Sequence, residues 1–237
     1  MLTSLYNDTE LAQAVKTIVF TFKPKPYLLP PVYYIMKLRF FAFLILWMPA
    51  LTIARAQDNW ELRRNENGIT IYSQRHDKIV QLRLLTEFNA TPAALEAQLQ
   101  NINNYVNWVY GNKRSGIIKK INNNDIIYFT EAHLPWPIQD RDLVVELNIK
   151  PATGTEPLTI TAKSIDGILP PKKHFIRVPY SLATWHVTPM PGNKIKIDYT
   201  FSLDPGGSIP GWLVNLTIAK GPYESFLKLG DILKTGK

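Results

Sequence analysis

The chain has 237 residues, of which 46% are hydrophobic and 19% charged, a composition typical of a folded globular protein. It contains no cysteine, which excludes disulfides, zinc-cysteine sites, thiol nucleophiles and a cysteine-linked lipid anchor. The formal net charge of +8 divides equally between residues 1–56 and the rest of the chain. This mild excess is weak evidence for nucleic acid, and we expect no nucleic-acid partner.

The N-terminal segment carries a three-part export pattern. A basic start at residues 36–39 precedes an apolar run from Phe40 to Met48 and a small-x-small site at residues 54–56. This pattern predicts a secretory signal peptide that is cleaved after Ala56. The apolar run is shorter than the ~20 residues that span a bilayer, which disfavours a permanent anchor; the alternative is a buried apolar element. We therefore expect an upstream extension (1–35), a signal peptide (36–56) and an exported domain (57–237), periplasmic or secreted.

The exported domain begins with two predicted strands. Residues 59–64 are predicted to form a short helix anchored by Trp60. Asn67-Gly68 is a strong turn signal, and residues 69–72 and 80–88 alternate in hydrophobicity, so we expect them to pair. Thr91-Pro92 then predicts a helix with threonine as its N-cap. A second short helix is expected from Tyr105 to Val109.

After Gly111 the pattern is almost entirely one of strands. Predicted strands cover residues 117–121, 126–133, 143–150, 158–165, 175–178, 183–188 and 194–203. The regular alternation of the last one favours an antiparallel sheet with one solvated face. An amphipathic helix follows Ile209-Pro210, and a kink is expected at Gly221-Pro222. The prediction is an α+β domain in which a curved antiparallel sheet wraps around a long C-terminal helix.

The stretch from Pro135 to Leu147 attracts most attention. Two prolines flank Trp136, so this part cannot belong to a central strand. An acidic-Arg-acidic triplet at residues 140–142 then leads into an alternating strand. Such a rim is suited to gate a cavity; the alternative is a solvated turn before an ordinary strand.

Catalytic and metal-binding signatures are absent from the sequence. The four histidines are scattered without metal-ligand spacing, and neither a G-x-S-x-G elbow nor a phosphate loop occurs. We therefore expect no metal, no cofactor and no catalysis. The remaining possibility is an acid–base pair drawn from Glu131, Asp140 and Asp142.

Several motifs together resemble the StAR-related lipid transfer (START) domain, in its small bacterial exported form. They are residues 67–73 (NGITIYS), Trp108, Pro135-Trp136-Pro137 with Arg141-Asp142, Trp185, and residues 204–215 (DPGGSIPGWLVN). The resemblance implies a helix-grip fold whose C-terminal helix caps a deep pocket for one sterol, phospholipid, ceramide or other apolar ligand. The chain departs from the pattern at Leu147, where some sterol-binding members have a second arginine that meets an interior acidic residue.

Strand faces and the resemblance together select candidate ligand-binding residues. Glu131 and His133 share a strand face with apolar residues, so they are expected to orient a head group, unless that face points outward. Arg141 is a candidate for an anionic head group, or pairs with Asp140 and Asp142. The aromatic candidates, each also compatible with plain core, are Trp108, Tyr128, Trp185, Tyr199 and Trp212.

The leading hypothesis is non-catalytic binding and transfer of a lipid by a monomer that contacts membranes transiently, with the loop at residues 135–141 and the last helix as gates. An alternative is an enzyme of the helix-grip superfamily, a cyclase or hydrolase, with Glu131, His133 or Arg141 inside the pocket. A third is a protein-interaction module with a filled core.

Overall fold

Ten strands of the chain form one sheet. The computed structural model describes residues 60–134, 136, 138–153, 156–207, 209 and 218–235. The strands are β1 (Glu61–Glu66), β2 (Ile69–His76), β3 (Ile79–Phe88), β4 (Asn112–Lys120), β5 (Asp125–Ala132), β6 (Asp140–Lys150), β7 (Leu158–Ser164), β8 (Phe175–Arg177), β9 (Tyr180–Met190) and β10 (Lys194–Asp204). They are ordered β1-β2-β3-β10-β9-β7-β6-β5-β4, and β8 pairs with β6.

Pairing within the sheet is antiparallel except between β6 and β8, which are parallel. Both predicted hairpins are present, β2 with β3 and β4 with β5. Asn67 and Gly68 have φ of 51° and 73°, as a two-residue turn with two left-handed positions requires. The alternation expected in β10 is also found, because Ile195 and Ile197 are fully buried while Lys194 and Lys196 are exposed.

The predicted helix at residues 59–64 is wrong, because residues 61–66 form the edge strand β1 paired with β2. This segment has no apolar stripe and is largely exposed. An edge strand tolerates polar residues on both faces, and the ladder to β2 outweighs the local preference for helix. Arg63 strengthens the pairing, since its Nε donates to the Ser73 hydroxyl at 2.7 Å.

Two short helices follow β3 as predicted, α1 (Pro92–Gln100) and α2 (Tyr105–Trp108), with a 3₁₀ turn between them. The Thr91 hydroxyl caps α1 by accepting from the Ala94 N–H at 3.1 Å. Leu95 and Leu99 are the buried side chains of α1. These helices cover one end of the inner sheet face.

The C-terminal helix α3 spans Lys220–Thr235 and packs against β2, β3 and α2. Pro222 lies in the first turn of α3, where backbone N–H groups have no intrahelical acceptor. A proline at this position removes no hydrogen bond of the helix, so the described part of α3 does not need the expected kink. The earlier half of the predicted helix, residues 210–217, lies outside the described residues. No helix within the described ranges is long and apolar enough to cross a membrane.

Gly230 sets the closest approach of α3 to the sheet. A β-carbon at this position would lie 2.8 Å from Cε1 of Phe88, whose ring also contacts Phe226. In an ordinary helix, alanine is favoured over glycine by about 1 kcal/mol. Here the steric conflict reverses that preference.

We therefore expect Gly230→Ala to lower the free energy of unfolding by about 1–3 kcal/mol, measured by urea denaturation. The exposed Lys228→Ala on the same helix should change it by less than about 0.5 kcal/mol. A stabilised Gly230→Ala protein would contradict this packing.

Candidate ligand-binding site

A cavity of about 380 Å³ lies between the inner sheet face, α2 and α3. This volume falls within the ~300–1,000 Å³ range of small-molecule pockets. Its walls come from the inward positions of β5, β6, β7, β9 and β10. Apart from Arg141, the lining residues in the described part of the chain carry no formal charge.

The cavity occupies only one end of the inner face, because residue size changes along the strands. At the other end the space is filled by large aliphatic residues such as Leu158, Val187 and Ile197. Farther along the same faces of β5, β7 and β9 stand Ala132, Ala162 and Ala183, which all line the cavity. Small side chains leave the space between sheet and helix unfilled, so the sheet is hollow there.

Aromatic rings form the floor of the cavity and hold α3 in place. The ring of Phe226 on α3 stacks on Trp185 at 4.9 Å, and Trp185 lies 4.7 Å from Tyr199. A second cluster joins Tyr105 to Trp108 at 5.2 Å and to Tyr128 at 5.7 Å. Interlocked rings of this kind make a largely pre-formed wall.

The tyrosines of these clusters sit in an apolar environment. Desolvation raises the pKa of Tyr128 and Tyr199 above the usual value near 10, and that of Tyr105 well above it. Their phenols are therefore neutral at physiological pH. They offer the cavity hydrogen-bonding groups without charge.

Four of the predicted aromatic residues, Trp108, Tyr128, Trp185 and Tyr199, line the cavity. The fifth, Trp212, lies outside the described residues. Sequence reasoning missed the small residues of the wall, together with Asn112, Thr130, Phe201 and Phe226. The usable signal was the shift from Ile, Leu and Val to Ala, Ser and Thr at alternate positions toward one end of several strands.

The interpretation that placed Glu131 and His133 in the pocket is corrected. The cavity-facing residues of β5 are Tyr128, Thr130 and Ala132, so the odd-numbered positions point to the outer face. There Glu131 pairs with Lys172 at 2.8 Å, and His133 Nδ1 lies 2.9 Å from the Asp140 carboxylate. Both side chains therefore make their contacts on the outer face of the sheet.

The predicted pairing of Arg141 with its acidic neighbours is also wrong. Asp142 pairs with Arg177 at 2.7 Å, and Asp140 with His133. Arg141 is 4% exposed, lines the cavity and donates to the carbonyls of Gln139, Pro205 and Gly206. Burial lowers the pKa of its guanidinium from the usual value, opposed by the nearby Asp140 charge.

The chain is similar in sequence to a known protein family and to proteins from other organisms. Residues 50–227 match the family model described as START domain. The chain is 27% identical to an uncharacterised Pseudomonas aeruginosa protein over 171 residues, covering 71% of this chain and 83% of that protein. It is 27% identical to the phosphatidylcholine transfer protein of Rattus norvegicus over 194 residues, covering 78% of this chain and 86% of that protein.

Solved structures show the same fold. A STAR-related lipid transfer protein from Xanthomonas axonopodis gives a TM-score of 0.68 at 24% identity, covering 75% of this chain and 99% of the other. Human StAR-related lipid transfer protein 5 gives 0.65 at 17% identity, covering 84% and 95%. The antiparallel sheet with its C-terminal helix is therefore the helix-grip fold, and the chain belongs to the START domain family.

Proposed function

We propose that the protein binds one lipid in its cavity and transfers it between membranes without covalent chemistry. Membership of the START family supports lipid binding in general, and the names of the Rattus and Xanthomonas proteins describe lipid transfer. The observation that carries the proposal is the apolar cavity beneath α3, which contains one buried charge at its end.

Burial of an acyl chain supplies the driving force. Removing about 400 Å² of apolar surface from water contributes about 10 kcal/mol at ~25 cal/mol/Å². This gain is of the size needed to offset the loss of bilayer contacts, because both environments are apolar. The pre-formed aromatic floor lowers the ordering cost on binding.

A non-catalytic role is supported by the chemistry of the wall. Among the described residues that line the cavity there is no aspartate, glutamate or histidine to act as a general acid or base. The enzymatic alternative needed Glu131, His133 or Arg141 inside the pocket. Glu131 and His133 lie on the outer face, whereas Arg141 lines the cavity. A guanidinium stays protonated and is therefore a poor general acid or base. The third alternative, a filled core, does not fit a cavity of about 380 Å³.

The binding proposal is tested by native mass spectrometry of the purified protein, which should show one copurifying lipid per chain. Ala183→Trp should lose this lipid, because the new ring fills the cavity from β9. His186→Trp on the exposed face of the same strand is the matched control and should keep it. A wild-type chain that stays empty when offered lipid vesicles would refute the proposal.

We further propose that the β5–β6 loop, residues 133–139, contacts the membrane. Trp136 in this loop is 92% exposed, and tryptophan favours the membrane–water interface because its ring is amphipathic. The same loop carries Leu134, a cavity-lining residue, and Gln139, which is bonded to Arg141. Contact at Trp136 thus brings the bilayer next to the binding site.

Trp136→Ala should slow lipid transfer between vesicles about 10-fold, the effect of losing about 1.4 kcal/mol of membrane affinity. Its equilibrium lipid content should be unchanged, because the ring lies outside the cavity. Transfer is measured by dequenching of a fluorescent lipid. The control is Ile121→Ala, an exposed residue between β4 and β5, at the opposite end of β5 from Trp136. An equal slowing in both variants would argue against a specific role for Trp136.

We also propose that the protein acts after export. The support is the pattern at residues 36–56, which lies outside the described residues. N-terminal sequencing of protein recovered from the exported fraction should begin at Gln57. A mature chain that retains Met1 would rule this out.

A further inference from the structure

Arg141 is a buried charge in a cavity wall whose other described residues carry no formal charge. It lies on the inner face of β6, and its in-register neighbour on β5 is Ala132. A methyl group offers the guanidinium neither a hydrogen-bond acceptor nor a countercharge. Burying a charge is costly unless partners compensate it, so the partners of Arg141 decide what it does.

Those partners are backbone carbonyls from two loops. Nη1 donates to the carbonyl of Gln139 in the β5–β6 loop. Nε and Nη2 donate to the carbonyls of Pro205 and Gly206, after β10, at 3.4 and 3.2 Å. The guanidinium therefore bridges the two segments that border this end of the cavity.

The backbone after β10 is shaped to allow this approach. Gly206 and Gly207 have φ of 65° and 64°, a region that favours glycine. A β-carbon at Gly207 would lie 2.9 Å from Cδ1 of Ile176, and one at Gly206 would lie 3.0 Å from Cδ of Pro179. The position of the carbonyl acceptors, and with it that of Arg141, is thus closely constrained.

The carboxylates that could neutralise Arg141 are engaged on the other side of the sheet. Asp140 and Asp142 alternate away from the cavity and pair with His133 and Arg177. Within the described residues no carboxylate forms an ion pair with Arg141. Carbonyl dipoles solvate the guanidinium, and the Asp140 charge acts on it from a distance without forming an ion pair.

The hydrogen-bonding capacity of the guanidinium is not exhausted. It has five N–H donors, and the contacts within the described chain use one each on Nε, Nη1 and Nη2. Counting only contacts with described residues, one donor remains on each Nη. Two donors on a rigid plane match the paired oxygens of a carboxylate or phosphate group.

We propose that the ligand is an amphiphile with an anionic carboxylate or phosphate group, which binds Arg141 while its apolar part fills the cavity. This inference rests on the proposed lipid-binding function and specifies its ligand class. The anionic group provides a countercharge in direct contact with the guanidinium and accepts the two remaining donors. It also contacts the residue that joins both border loops, so occupancy strengthens that junction.

The test compares ligands that differ only in the head group. Oleate is paired with oleyl alcohol, and dioleoylphosphatidate with dioleoylglycerol, in a fluorescence-displacement binding assay. Wild-type protein should bind at least one anionic ligand about 10- to 100-fold more tightly than its neutral partner, the effect of charge-assisted hydrogen bonds. Preference confined to the first pair assigns a carboxylate; preference confined to the second assigns a phosphate.

Substitutions test whether Arg141 causes the preference for anionic ligands. Arg141→Gln should abolish the preference for anionic over neutral ligands, and Arg141→Lys should retain part of it. Arg177→Lys, at an arginine that also donates to loop carbonyls but on the outer face, should leave it unchanged. If Arg141→Gln does not fold, as judged by circular dichroism, the wild-type ligand pairs and Arg141→Lys decide the question.

The outcomes separate the two levels of the proposal. Equal binding of anionic and neutral ligands by the wild type, or an undiminished preference in a folded Arg141→Gln or Arg141→Lys protein, overturns the ligand class but leaves lipid binding intact. Failure of all four ligands to bind refutes the proposed function itself.

Discussion

The contact of α3 with the aromatic floor is the interaction on which the binding site depends. Phe226 stacks on Trp185 and lies 5.2 Å from Tyr199, which anchors the helix at the boundary between filled core and cavity. On the filled side of this boundary, aliphatic residues pack densely. On the cavity side, alanines on β5, β7 and β9 leave open space that α3 covers. A helix without this anchor would collapse toward the small residues, since unfilled apolar space is unfavourable.

The sheet separates two kinds of electrostatics. On its outer face Glu131 and Asp142 form ion pairs with Lys172 and Arg177, and the Asp140 carboxylate contacts His133. Its inner face carries Arg141, whose hydrogen-bond partners among the described residues are all backbone carbonyls. Alternation along a strand produces this separation, because adjacent residues point to opposite faces. In the acidic-Arg-acidic triplet, Arg141 therefore faces the cavity, whereas Asp140 and Asp142 lie on the outer face.

The loop proposed to contact the membrane and the residue proposed to bind the head group lie at the same end of the fold. The loop that exposes Trp136 also supplies the Gln139 carbonyl to Arg141, and the segment after β10 supplies two more carbonyls. A head group bound there would contact the residue that ties both segments together. If the protein binds a lipid as proposed, Arg141 would connect the bound head group to both segments.

Much of this architecture follows from local sequence patterns. Alternation in β3 and β10, the Asn67-Gly68 turn, the Thr91 cap and the amphipathic C-terminal segment predict the antiparallel sheet with its closing helix. These features are local, so nearest neighbours determine them. The strand at residues 61–66 escaped prediction because it has no alternating apolar face, so its own residues do not reveal its pairing with β2.

The binding site required the tertiary structure. Periodicity shows that Glu131 and Tyr128 lie on opposite faces of a strand, but only the position of α3 decides which face is the interior. Likewise, the residues next to Arg141 in the sequence suggested ion pairs, whereas folding directs them to the outer face and brings the carbonyls of residues 205 and 206 to it instead. The sequence by itself determined the elements and their amphipathic faces; the packing of helix on sheet determined which face encloses the cavity, because enclosure depends on contacts between residues far apart in the chain.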